Sequence, residues 1–173
     1  MTYAEIVILA AIMKRGKHGY EIKKTAERIF GDSCTINNNT LYASLHRFQE
    51  RGVVKSEVQP VPGKPDRHVY SITEKGRETF RDLVLDFPPE AARSDLDFYA
   101  RVAFFHLLTP AERGEILRTR KMVMEERADR YGQLLDACCS RNLGYEEKVV
   151  RFMGEQAKNE LGWIASIQPA IEK

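Results

Sequence analysis

The sequence predicts a mainly α protein in two parts. An N-terminal winged helix-turn-helix domain with a two-stranded β wing covers residues 1–87, and an all-helical domain covers 88–173. Three observations predict this. Three short helical patterns follow one another and stop at Gly16, Gly31 and Gly52. The period then changes from helix to strand on either side of a proline-rich loop. Beyond Phe87-Pro-Pro-Glu90 every pattern is helical again.

The first helix is predicted over 3–15. Tyr3, Ile6, Val7, Leu9, Ala10 and Met13 make it apolar around most of its circumference, the mark of a central helix. The second runs over 18–30, with Ile22, Ala26, Ile29 and Phe30 on one stripe and Lys23, Lys24, Glu27 and Arg28 outside. A turn from Asp32 to Asn37 leads to the third. There Leu41, Leu45 and Phe48 recur at i, i+4, i+7 and share one face. Asn39, Ala43 and His46 lie opposite, flanked by Tyr42 and Arg47. An Asn run opens this helix and Gly52 closes it.

Val53 to Val58 and Arg67 to Ile72 read as two strands. Three prolines and a glycine between them exclude helix and regular strand, leaving a long basic hairpin tip. Thr73 is placed to cap a fourth helix that runs to about Asp86. Its capping box is incomplete, because Gly76 stands where Glu would be. In the rear half, residues 95–107 read as one helix. Thr109-Pro110 starts a long one in the cap-then-proline order, reaching about Ser140. A last helix spans about Glu146 to Ile167.

Charge is uneven along the 173 residues, although the net charge is only +2. Between Lys14 and Arg67 stand 11 Lys and Arg against 6 Asp and Glu, whereas residues 87–173 hold 13 against 14. A basic front suits an encounter with phosphates. No apolar run reaches the roughly 18–20 residues that span a bilayer. The N-terminus lacks a secretion signal, so a cytoplasmic protein without membrane association is expected. Cys34, Cys138 and Cys139 have no metal-ligand spacing and read as reduced structural residues. There is no glycine-rich phosphate loop, nucleophile elbow or metal-spaced His/Asp/Glu group. No catalytic residue, metal or cofactor is therefore expected. His18 and His68 read as helix-start and hairpin residues.

Three helices followed by a hairpin is the order of a winged helix-turn-helix module. Its third helix presents Asn38, Asn39, Thr40, Tyr42, Ala43 and His46 outward, a small, polar, neutral-to-basic face able to enter a DNA major groove. Lys64 and Arg67 of the wing are placed for flanking phosphates. In the long rear helix, Leu117, Met124, Tyr131 and Cys138 fall at spacing 7, with Ala128 and Leu135 between them. The last helix offers Val150, Met153, Ala157, Leu161 and Ile164 on one side. That much apolar helix surface predicts a homodimer. Such a dimer would set two reading helices roughly 34 Å apart, one turn of duplex. The alternative is a winged-helix protein-interaction module that does not bind DNA.

Three blocks of this sequence resemble the PadR family of regulators. They are Ile8 to Lys24, Asn39 to Phe48 with Glu50 and Gly52, and Gly63 to Gly76. The rear half is similar, less sharply, to the helical C-terminal domain of the longer, virulence-activator-like members, through Phe98 to Leu108, Thr109 to Arg113 and Glu160 to Ile164. The resemblance implies a homodimeric winged-helix transcription factor, usually a repressor of double-stranded operator DNA. On matching positions it points to Asn39, Thr40, Tyr42, Lys64 and Arg67, and adds Tyr20 as a phosphate contact. Two departures stand out. Asn38, Asn39 and Ala43 occupy positions where members often carry Pro, Gly and Pro, and Asp66 lies in a wing where bases are common. A small-molecule effector of unknown identity would relieve repression, with Trp163, Tyr131 and Phe104 as the aromatics near which to seek it.

Overall fold

The computed structural model of the chain describes residues 2–33, 35–60, 67–141 and 144–168; of these, the side chains of Thr2, Ser33 and 138–141 are outside the description. Cys34 and the side chains of Cys138 and Cys139 therefore lie outside the described residues, as does Lys64. The chain forms two compact units. The first is Met1–Asp86 with Asp95–Leu107, and the second is Phe87–Ser94 with Leu108–Lys173.

The first unit is built on α1 (Thr2–Ala11). Ile6, Val7, Ile8 and Leu9 are all fully buried, as a helix apolar all round requires. It is shorter than the 3–15 expected: Ile12 and Met13 donate to the carbonyls of Leu9 and Ala10, three residues back, and the helix tightens out. A two-residue strand, β1 (Lys17–His18), precedes α2 (Gly19–Phe30). The backbone N–H of His18 donates to Glu21 Oε2 at 2.9 Å and anchors that start. After a 3₁₀ turn over Gly31–Ser33 comes α3 (Asn38–Glu50).

Gly52, at φ 68°, makes the left-handed turn out of α3 into the wing. The wing pairs β2 (Val54–Gln59) with β3 (Arg67–Ile72), antiparallel, Val54 opposite Ile72 and Gln59 opposite Arg67. The sheet has three strands rather than two, ordered β1-β3-β2, with Lys17 opposite Tyr70. β1 escaped the sequence reading because two residues show no period.

Thr73 caps α4 (Glu74–Leu85), its hydroxyl accepting from the Gly76 N–H at 3.1 Å. The missing Glu of the capping box now has a cause. A Cβ at Gly76 would run into the Val53 carbonyl oxygen, so the tight seat of α4 on the start of β2 excludes any side chain there. The 95–107 stretch is not one helix. It is α5 (Asp95–Val102) followed by a 3₁₀ turn over Phe105–Leu107. Both pack with the first unit, α5 against α1, although they lie beyond the sequence division at 87 and 88.

From α5, Arg101 enters the first unit's core with no exposure at all. It donates to the carbonyls of Leu83, Val84 and Asp86 at 3.2, 3.0 and 2.8 Å, and to that of Asp97 at 2.7 Å. A cation thus closes the carbonyl end of α4. Burial pulls the guanidinium below its usual range, and Asp97 opposes that shift.

The second unit joins a 3₁₀ turn over Ala91–Arg93 to α6 (Pro110–Arg141) and α7 (Gly144–Ile167). Thr109 and Glu112 form a reciprocal cap at the start of α6, with Glu112 Oε2 accepting from the Thr109 N–H at 2.8 Å. Arg120 of α6 meets Glu160 of α7 through two bonds of 2.6 and 2.9 Å, and donates to the Ala92 carbonyl at 2.6 Å. Further along α6, Tyr131 faces Gly154, where a Cβ would come within 3.3 Å of the tyrosine Cβ. These two contacts set α6 and α7 antiparallel. No helix among the described residues is long and apolar enough to cross a membrane.

Candidate nucleic-acid interface

The geometry of α3 follows from its two faces. Asn37 Oδ1 accepts from the Thr40 N–H at 2.8 Å and caps the helix, which leaves Asn38 and Asn39 free of capping duty. Leu41, Leu45 and Phe48 are buried, together with Ser44. Asn38, Asn39, Tyr42, Ala43, His46 and Arg47 are exposed, and Thr40 is half-buried. The N-terminal turn therefore offers amide, hydroxyl and imidazole groups around a small Ala43, beside the positive end of the helix dipole.

Neighbouring elements hold that turn. Lys23 Nζ donates to Asn38 Oδ1 at 3.1 Å and ties α2 to the start of α3. Tyr42 lies over the first turn of α2, where a Cβ on Gly19 would come 2.8 Å from its hydroxyl. Arg47 turns the other way. It donates to Glu5 Oε1 at 2.8 Å and to Ser44 Oγ at 3.2 Å, so in this structure its charge serves α1. His46 Nδ1 stands 3.6 Å from Glu50 Oε2, a surface pair of small energetic weight.

Tyr20, Tyr42 and Arg67 come together along one open groove of about 680 Å³. Tyr20 is 64% exposed and carries the Lys24 ammonium 4.8 Å from its ring centre. The neighbouring Tyr20 side chain raises the lysine's proton affinity. The groove also contains His18, His68 and Tyr70, which the sequence reading did not connect with α3. The signal was faint: Tyr70 sits at an inward position of β3 and His18 directly before Gly19-Tyr20. His18 Nδ1 is 3.1 Å from the His68 carbonyl, joining β1 to β3. Burial, and then Tyr42, push the Tyr70 phenol up. Glu21 is the acidic residue on this groove, and it is engaged by the His18 N–H and, at 3.7 Å, by Arg15.

The residues read as a dimer seam divide by burial. Leu117, Met124 and Ile164 are at most 2% exposed within the single chain. Ala128, Tyr131, Leu135 and Leu161 are half-buried, and Met153 is exposed. The Cys138 side chain lies outside the described residues. On α7, Tyr145, Val149, Phe152 and Trp163 are exposed apolar groups on a second face. Phe104 is buried in the first unit, whereas Tyr131 and Trp163 belong to the second.

Residues 8–82 match the sequence model described as the transcriptional regulator PadR-like family. An uncharacterised protein of Lysinibacillus sphaericus is 27% identical over 85 residues, 49% of this chain and 78% of that protein. A probable transcriptional regulator of Mycobacterium tuberculosis is 27% identical over 70 residues, 40% of this chain but only 37% of the relative's length. A solved structure of Bacillus subtilis PadR in complex with operator DNA is similar at 17% identity and a TM-score of 0.47, covering 96% of this chain and 98% of that one. The matched segment contains α2, α3, β2 and β3 whole, so the similarity falls on the same elements that build the candidate interface.

Proposed function

We propose that the chain is a sequence-specific, DNA-binding repressor that works as a homodimer in the cytoplasm, with residues 1–87 as the reading domain and 88–173 as the dimerisation domain. One observation carries this reading. The first half of α3 keeps Asn38, Asn39, Tyr42, Ala43 and His46 exposed and Thr40 half-buried, while Leu41, Leu45 and Phe48 hold the helix down. Asn38, Asn39, Thr40, Tyr42, Ala43 and His46 meet base edges in the major groove. Tyr20, Lys64 and Arg67 hold flanking phosphates, and Arg47 joins them once released from Glu5. Ala128, Tyr131, Leu135, Cys138, Met153 and Leu161 form the seam between subunits. Leu117, Met124 and Ile164 stiffen α6 and α7 from beneath. A small effector that favours one spacing of the two reading heads relieves repression.

The test is retention of duplex fragments from upstream of the chain's own gene across a salt titration. Specific binding falls steeply with salt. Asn39→Ala lowers discrimination between fragments by about 1–3 kcal/mol. Arg67→Ala weakens all fragments alike and flattens the salt slope by about one unit. A chain that retains no duplex at low salt, or that sediments as a monomer at micromolar concentration, overturns the reading.

A further inference from the structure

A cavity of about 400 Å³ opens in the first unit, and none of the residues assigned to DNA lines it. Four cationic side chains line it: Lys14 and Arg15 after α1, Lys17 in β1 and Arg28 in α2. The exposed His106 and the buried Phe104 also line it, their ring centres 6.4 Å apart. No acidic residue lines it. The acid nearest in function is Glu21, 3.7 Å from Arg15 and already accepting from the His18 N–H.

The crowding of like charge is costly where it stands. Lys17 is half-buried and donates to Thr25 Oγ1 at 3.1 Å, a neutral acceptor rather than a counter-charge. Its ammonium is held below the usual lysine range by burial first, then by Arg28 and Arg15. Lys14 and Arg28 are exposed, and neither has an acidic partner within ion-pair distance among the described residues. Cations kept together around a concave site without a carboxylate are relieved by an anion that enters it. The volume is within the range of small-molecule sites.

We propose that this cavity binds a small molecule carrying a phosphate or pyrophosphate group on an apolar or aromatic body. With Arg15 already paired to Glu21, Lys14, Lys17 and Arg28 remain, and a doubly charged phosphate balances more of them than one carboxylate does. They arrive from three segments, after α1, in β1 and in α2, and so suit a tetrahedral group with oxygens on every side. The apolar lining residues, Phe104 and Met13 among them, receive the body of the ligand.

Titration calorimetry of the full chain tests this with ADP, pyrophosphate, adenosine and benzoate. ADP and pyrophosphate bind, ADP the tighter, and adenosine and benzoate bind at least about tenfold more weakly. The double variant Lys14→Gln/Arg28→Gln removes two exposed charges and leaves the Lys17–Thr25 bond in place. It lowers ADP affinity about tenfold. Lys55→Gln, a basic residue of β2 paired with Glu57, leaves it unchanged. Absence of binding by both phosphates, equal binding of benzoate and ADP, or an equal loss in Lys55→Gln overturns the site. A duplex-retention arm separates the two sources of phosphate. Unchanged DNA affinity in the double variant supports a small-molecule site. A loss as large as that of Arg67→Ala makes these cations part of the DNA contact and overturns the proposal.

Discussion

The winged unit and the helical unit each hide one arginine completely from solvent, and they compensate its charge by different means. Arg101 is wrapped in backbone carbonyls, most of them from the last turn of α4, with the Asp97 carboxylate oxygen at 3.5 Å as a secondary partner. Arg120 has a full carboxylate, Glu160, from another helix. In the first case a cation ends one element, because helix carbonyls have no partner of their own. In the second it joins two elements in a fixed register. The same residue type at the same exposure therefore ties α5 to the carbonyl end of α4 in one unit and pairs α6 with α7 through a carboxylate in the other.

The comparison is broken most directly at Arg120. Arg120→Ala removes the guanidinium that bonds the largely buried Glu160 carboxylate, and a loss of about 3–5 kcal/mol is expected in urea unfolding. Arg120→Met combined with Glu160→Leu should recover most of that loss, since removing both charges also removes their desolvation cost. A single variant as stable as the parent would mean that α6 and α7 are held by apolar contact alone.

Arg101 gives a smaller effect in a different place. Arg101→Met strips three carbonyls at the end of α4 of their donor, and about 2–3 kcal/mol is expected. The loss should appear as faster hydrogen exchange in the last turn of α4, with α6 and α7 unaffected. Uniform acceleration along the chain would contradict the local role.

The smallest effect concerns an acid in the same first unit. Tyr70 ionises less readily in the folded chain than in the unfolded one, chiefly because of burial. Its folded pKa is raised, so its contribution is fully present below the unfolded tyrosine value of about 10 and is lost as pH rises through the folded value. Tyr70→Phe should flatten the stability profile in that alkaline window and leave it unaltered near neutrality. An unaltered alkaline slope would show that the Tyr70 environment does not distinguish the phenol from its anion.

Much of the first unit was legible because its signals are short-range. Leu41, Leu45 and Phe48 lie within two turns of one helix, and their shared face needs only a 3.6-residue period. The Thr73 and Thr109 starts were legible for the same reason, since a cap reaches only two or three residues ahead. The groove was only partly legible. Tyr20, Tyr42 and Arg67 were named singly, but the strand pairing that sets His18, His68 and Tyr70 beside them joins residues about 50 apart. Arg101 and Arg120 drew no expectation from the sequence, because their buried partners come from other elements.

The amino-acid order by itself determined α2, α3, α4, the two long strands, the Thr73 and Thr109 starts and the polar outer face of α3. Each of these depends on backbone preference and neighbours a few positions away. Only the tertiary structure decided that α5 packs with the first unit, that a third strand closes the small sheet, that Gly76 must lack a side chain, and that four cations share one cavity. Those outcomes depend on which distant segments meet, and a buried charge or a crowded Cβ acquires its cost only when they do.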